Sequence, residues 1–297
     1  MTTWTTIVNG AAGGGRCGSQ ASQALNRLRE GGLTLDVRFT ECVGHASDIA
    51  REQHAQGKRH FITVGGDGTT YEVINGLFPR EAEDSVTLGF LPLGTGNSFI
   101  RDFGIDSTDK AVDALIRGNT TACDVVRVEH SAGELHYINL MSVGFSAKVG
   151  ALTNRRFKPF GAAGYAMAVG VSVLGLHQPR YRMSIDGGPL EDEACTLISF
   201  SNRRYTGGTM MMAPSADPSD GALDVIRIAK LSRVGLLRAF PKIYQGSHVH
   251  LDAVDTRLAK AITFHGSGPV DCMIDGEILN LELRSLDVMA GALEVIT

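Results

Sequence analysis

Two domains of different architecture are predicted: an N-terminal α/β domain on a parallel sheet, and a mainly antiparallel, β-sandwich-like domain. The first covers residues 1–127, with residues from about 286 to 297 returning to complete it, and the second covers residues 128–285. Strand-like and helix-like segments alternate up to Asp124, the pattern of parallel strands joined by crossover helices. Beyond Asp124, short β-branched and aromatic runs follow one another between turn residues. Three glycine-rich loops, each after a strand of the first half, add a third sign, because β-to-α loops of a parallel sheet converge on one edge.

In order, Thr5 to Asn9 reads as a strand, Ser19 to Arg29 as a helix, Leu33 to Phe39 as a strand and Ala46 to Ala55 as a helix. Phe61 to Val64 is an apolar strand, and Val73, Ile74 and Leu77 fall at helical spacing just after it. Val86 to Leu93 is the next strand, and Asp109 to Arg117 a helix closed by Gly118. The second half gives strands at Val125–Val128, Tyr137–Val143, Tyr181–Ile185, Cys195–Ser201 and Leu223–Ile228. Further strands fall at Ala261–Phe264, Val270–Ile274 and Ile278–Arg284, with helices at Ala162–Leu176 and near Ser232–Tyr244. No flexible linker separates the halves, so an extensive interdomain contact with a ligand cleft is expected.

The segment Phe61 to Leu77 organises the rest. Its turn, Gly65-Gly66-Asp67-Gly68-Thr69, delivers free N–H groups at a helix N-terminus, where anions bind, and its glycines let a phosphate approach the backbone. Asp67 sits awkwardly there. A carboxylate about 4 Å from a phosphate oxygen is repelled by roughly 4 kcal/mol at an effective dielectric near 20. Either Mg2+ lies between them or the carboxylate turns away. The first loop contains Gly13-x-Gly15-x-x-Gly18, a literal dinucleotide fingerprint with Asp36 or Glu41 at ribose distance, but its first glycine lies well past the strand end. The third loop, Pro92 to Phe99, completes a shared polyphosphate site and makes the first half a nucleotide-binding domain.

Composition excludes several classes. Of 297 residues, 43% are hydrophobic and 20% charged, which describes a globular chain without a disorder signature. A net charge of −4 with dispersed basic residues gives no general affinity for nucleic acid. Five cysteines without a C-x-x-C pair argue against a disulfide framework and a zinc site, and fit a reducing cytoplasm. The N-terminus carries no secretory signal pattern. Ala162 to Leu176 is too short to span a bilayer and reads as a core helix or the border of an apolar ligand channel.

The set Gly65-Gly-Asp-Gly-Thr69, Glu72, Asn75-Gly-Leu77, PLGTGNSF, Asp217 to Val225 and Ile274-Asp-Gly-Glu277 resembles the diacylglycerol kinase catalytic family, over nearly the whole chain. The resemblance implies an ATP site at Asn9, Gly10, Ala11, Ala12, Gly13, Thr40, Gly65, Gly66, Asp67, Gly68, Thr69, Thr70, Tyr71, Glu72, Gly94, Thr95 and Asn97. It implies Glu277 as the base toward a lipid hydroxyl, with Asp275 as competitor, and a structural Mg2+ at the turn of Asp217, Asp220 and Ala222. A nucleotide-bound Mg2+ would have Asp67 and Asp124 as candidates. The expected activity is Mg2+-dependent phosphoryl transfer from ATP to a diacylglycerol-like or sphingoid lipid, by a cytoplasmic protein associating peripherally with a membrane surface. A homodimer is left open.

Three departures from the family pattern stand out. Asn9-Gly10 replaces Asn-Pro, Ser98 replaces an acid, and Ser146 replaces the acid of Gly-Phe-Asp-Ala. His248 and His250 read as surface histidines on a strand, and Arg155, Arg156, Lys158, Arg203 and Arg204 as solvated charge or a membrane or phosphate contact. Met210 to Met212 suits an acyl chain or a core equally. A NAD kinase, which would share the Gly-Gly-Asp-Gly-Thr loop, and a non-catalytic lipid or nucleotide binding module are the alternatives.

Overall fold

The structure, a computed structural model, describes residues 2–80, 84–157, 161–266 and 268–297; Lys158 lies outside them. It divides into two units, Met1–Val125 with Ala290–Thr297, and Val126–Met289. In the first unit β1 (Thr3–Val8), α1 (Arg16–Glu30), β2 (Thr34–Phe39), α2 (His45–Ala55), β3 (His60–Gly65), α3 (Asp67–Leu77) and β4 (Thr87–Pro92) alternate. α4 (Thr108–Arg117) then leads into β5 (Thr120–His130).

The strands lie in the order β2, β1, β3, β4, each pair parallel, with Thr5 opposite both Asp36 and Phe61, and Phe61 opposite Leu88. Glu294 and Val295, near the chain end, add a further parallel segment beside Thr87 and Leu88. Ile7, Val8, Phe61, Ile62, Val64, Leu88 and Leu91 are buried, as strands covered on both faces require. α2 and α3 pack so closely at Gly76 that a Cβ there would run into the Ser47 carbonyl. This parallel order carries the loops after β1, β3 and β4 to one edge of the sheet.

The second unit is β-rich. Its strands are β6 (Gly133–Tyr137), β7 (Leu140–Gly144), β8 (Arg180–Ile185), β9 (Glu191–Ser201), the short pair β10 (Tyr205–Thr206) and β11 (Met210–Met211), β12 (Leu223–Ala229), β13 (Val254–Ala259), β14 (Ala261–Phe264), β15 (Val270–Ile274), β16 (Glu277–Leu281) and the first part of β17 (Leu283–Ile296). α5 (Phe145–Leu152), α6 (Gly161–Leu174) and α7 (Arg233–Ala239) complete it. The strand pairs are antiparallel. β9 belongs to two layers: Glu191 to Ala194 pair with β8, and Leu197 to Ser201 pair with β7 and β12. Phe200 of β9 meets Phe264 of β14 edge to face at 5.8 Å.

Several elements differ from the sequence reading. The strand expected at Tyr137–Val143 is two, because Ile138, Asn139 and Leu140 give their N–H groups to the Asp275 carboxylate instead of to a continuous ladder. The strand expected at Ile278–Arg284 is divided between β16 and β17, and β13 is an additional strand that the sequence pattern does not mark. The helix near Ser232–Tyr244 is α7 followed by a 3-10 segment, Phe240–Gln245, and His248 and His250 lie in another, Ser247–His250, not on a strand.

His136, opposite Arg127 in the β5–β6 ladder, is buried, and burial together with the Arg127 cation pushes its pKa down to about 4. A histidine depressed in the folded state stays neutral while the unfolded chain takes up a proton below pH 6.5, so stability is lost as pH falls from 6.5 towards 4. Between pH 7 and pH 4.5 this group accounts for about 2–3 kcal/mol of lost stability. Denaturant titrations should show the His136→Gln variant losing less stability over that interval by this amount.

Candidate functional site

Two side chains tie the three glycine-rich loops into one cradle. Asn9, at the end of β1, donates from Nδ2 to Thr69 Oγ1 at 3.0 Å, while its Oδ1 accepts the Ala11 N–H at 3.1 Å. Asp67, the first residue of α3, reaches the loop after β4: Oδ1 accepts the Ser98 N–H at 2.9 Å and the Phe99 N–H at 3.4 Å, and the Ser98 hydroxyl also donates to the carboxylate. Burial raises the Asp67 pKa, against the lowering effect of those donors. The carboxylate therefore turns onto a neighbouring loop, one of the two arrangements the sequence allowed. An ionised acid at position 98 would repel Asp67, whereas the Ser98 hydroxyl donates to it.

The backbones meet closely. A Cβ at Gly66 would stand 3.0 Å from the Gly94 Cα, and one at Gly96 would stand 2.8 Å from Asp67 Oδ2. Asn97, at φ 50°, spans its own loop by accepting the Gly94 N–H at 3.2 Å and donating to the Pro92 and Gly94 carbonyls. α1 and α3 begin behind Gly15 and Gly66 with no side-chain cap, whereas α4 and α7 are capped by Ser107 and Ser232. Uncapped helix ends beside small residues are what an anion requires. A shallow depression bordered by Gly65, Gly66, Asp67, Thr70, Asn97 and Phe99 opens there.

The remaining candidates of this unit lie around the cradle. Gly10, Ala12, Gly13, Thr40, Gly68, Tyr71 and Gly94 are half-buried, and Ala11 and Thr95 are exposed. Thr40 donates its N–H to the Val8 carbonyl, and Thr70 pairs its hydroxyl with Thr63 at 3.3 Å. Glu72 accepts the Ala46 N–H at 3.2 Å, holding the first turn of α2. Asp124 is fully buried and accepts the Gly291 N–H at 2.7 Å, latching the returning chain end.

The acidic candidates for a metal are not gathered together. Asp217 accepts from the N–H and hydroxyl of Ser219, and Asp220 accepts the Ala222 N–H at 2.9 Å, so both serve their own turns. Among the described residues no three His, Cys, Asp or Glu side chains form a group able to hold an ion. In the second unit Asp275, at φ 47°, and Gly276, at φ 93°, form the two-residue turn of the β15–β16 hairpin. The buried Asp275 carboxylate accepts the N–H groups of Ile138, Asn139 and Leu140 at 2.9 to 3.1 Å, whereas Glu277, the next residue after the turn, is exposed.

The second unit also contains an apolar chamber, with Phe145, Tyr165, Val169, Met210, Met212 and Phe240 among its walls. Ser146 lines it too, with its hydroxyl donating to Ser142 Oγ at 2.8 Å. Met210 and Met212 thus serve as core and wall at once. Two readings need correction. His248 is buried against this chamber, not at the surface, and Arg203 is fully buried, donating to the Ile138 carbonyl at 3.2 Å, so it is neither solvated nor available to a membrane. The sequence carries one signal of the chamber region that its motifs do not: no Asp or Glu occurs from Leu135 to Ile185 or from Val225 to Leu251.

Comparison with known proteins agrees with this arrangement. Residues 3–128 match the diacylglycerol kinase catalytic domain, and residues 139–297 the YegS C-terminal NAD kinase beta sandwich-like domain. The chain is 30% identical to a diacylglycerol kinase of Mycobacterium tuberculosis, over 98% of this chain and 94% of the relative. Its fold matches the crystal structure of a diacylglycerol kinase from Bacillus anthracis with a TM-score of 0.74, at 21% identity, covering 99% of this chain and 96% of that one.

Removing the Asp67 carboxylate leaves the Ser98 N–H, in a buried residue, without that acceptor. Asp67→Ala should therefore cost about 1–3 kcal/mol in denaturant titration at pH 7, and Asp67→Asn, which keeps an acceptor oxygen, less than half of that.

Proposed function

Because the chain belongs to the diacylglycerol kinase family of bacterial lipid kinases, we propose that it transfers the γ-phosphoryl group of ATP to the hydroxyl of a diacylglycerol-like or sphingoid lipid. The observation that carries the lipid half of this reading is the chamber's almost wholly apolar lining, since glycine-rich phosphate loops alone suit many nucleotide enzymes. The cradle of Asn9, Gly66, Asp67 and Asn97 holds the triphosphate. The lipid oxygen bonds to the γ-phosphorus as the bond to the β-bridging oxygen breaks, ADP leaves, and the hydroxyl proton passes to Glu277. Glu277 is preferred over Asp275 because the Asp275 carboxylate is already committed to three backbone N–H groups. Mg2+ bound with ATP would neutralise phosphate charge. An ion that arrives with the nucleotide suits the cradle, since Asp67 is committed to the Ser98 and Phe99 N–H groups and Mg2+ keeps most of its waters.

The acceptor would be taken from an anionic bilayer. α6 exposes Met167, Val171 and Leu174 along one face, and α7 exposes Val234 and Leu237 beside Arg233, Arg238 and Lys242. Exposed apolar side chains in stretches without acids, accompanied on α7 by these cations, suit a surface of acidic phospholipid. No helix among the described residues is long and apolar enough to cross a membrane.

Incubation with labelled ATP, Mg2+ and a panel of diacylglycerol, sphingosine, ceramide, polyprenol and NAD should label a lipid. Label on NAD alone would overturn the lipid assignment. Glu277→Gln should lower kcat by about 100-fold or more while leaving ATP affinity unchanged; full activity in that variant would assign the base elsewhere. Replacing Met167, Val171 and Leu174 together by Ser should weaken sedimentation with phosphatidylserine vesicles, and raised salt should weaken it in the parent protein.

A further inference from the structure

His248 lies in the 3-10 turn Ser247–His250, is 1% exposed, and borders the chamber. Its Nε2–H donates to the Met212 carbonyl at 3.0 Å. A carbonyl can only accept, so this bond fixes the tautomer and leaves the lone pair on Nδ1. Burial lowers the pKa of the ring and keeps it neutral, in agreement with that tautomer. Nδ1 is itself buried and has no hydrogen-bond partner among the described residues.

A buried acceptor in an apolar wall is unfavourable unless something donates to it. Two hydroxyls that line the chamber are committed elsewhere: Ser146 donates to Ser142 Oγ, and Thr196 donates to the Ala229 carbonyl at 2.8 Å. We propose that His248 Nδ1 is a specificity determinant of the chamber, accepting a hydrogen bond from a hydroxyl carried by the lipid inside it. The preferred occupant is then a hydroxylated hydrocarbon chain, because a plain chain leaves Nδ1 unpaired. A site built around a buried acceptor discriminates more sharply against a missing hydroxyl than an apolar wall discriminates against an added one. The inference rests on the reading of the chamber as the lipid site.

The test measures binding of stearate and of hydroxystearates carrying the hydroxyl at successive positions along the chain. The ionised carboxylate has no proton to donate, so the hydroxyl is the sole donor that distinguishes the ligands. At least one hydroxystearate should bind about tenfold more tightly than stearate, and the preference should shrink to within about twofold in His248→Phe, which keeps a ring in the wall. That variant also loses the bond to Met212, so the parent protein provides a second readout. The 15N resonance of His248 Nδ1 should move on binding the preferred hydroxystearate and not on binding stearate. Equal binding of all the chains, a preference that survives in His248→Phe, or an unmoved resonance overturns the inference while leaving the chamber a lipid site. If no chain binds, the chamber reading falls with it.

Discussion

A carboxylate at the head of a glycine-rich turn needs hydrogen-bond donors, and in this protein the neighbouring loop supplies them. Asp67 opens α3 and accepts backbone N–H groups from Ser98 and Phe99, so the turn after β3 and the turn after β4 are held as one surface. Asn9 extends the connection to the loop after β1 through Thr69. Without these two side chains, three glycine-rich loops would each be free to sample many backbone states, at a conformational cost on binding. Gly66 and Gly94 permit the contact, since side chains at either would separate the loops.

The second unit repeats the device. Asp275 sits in a tight turn, and its carboxylate is consumed by N–H groups of another segment, Ile138 to Leu140. Carboxylates spent in this way have their oxygens occupied by fixed donors and are poorly placed to receive a substrate proton. Neighbours in sequence thereby differ: Asp275 fixes the hairpin, and Glu277, one residue past Gly276, remains exposed. Asp217, Asp220 and Asp124 likewise serve backbone turns and latches. Acid-rich motifs in this chain therefore act first as struts.

The alternating order of the first unit was readable because its central strands, buried on both faces, appear as runs of apolar or β-branched residues such as Phe61 to Val64, and the Asp275-Gly276 turn was readable from its dipeptide. The break between β6 and β7 was not, since it is imposed by a side chain far along the chain. β13 escaped for a different reason: Asp255, Thr256 and Arg257 are polar and half-buried or exposed, so no apolar alternation marks it. The cradle's glycines announced themselves, but its struts look like ordinary loop polars until Asp67 and Ser98 are placed side by side. The chamber was hidden because Phe145, Val169 and Met212 are indistinguishable in sequence from core residues. His248 was misread as a surface residue because a polar side chain is inward here only by virtue of its bond to Met212.

In the proposed reading the three loops respond to nucleotide as one body. Backbone hydrogen exchange of the unmodified protein, with and without ATP and Mg2+, measures this directly. Slowed exchange should appear together in residues 10–15, 65–70 and 94–99 at the same nucleotide concentration. Protection confined to one of these loops, or found only elsewhere in the chain, would mean that they do not act as one nucleotide site.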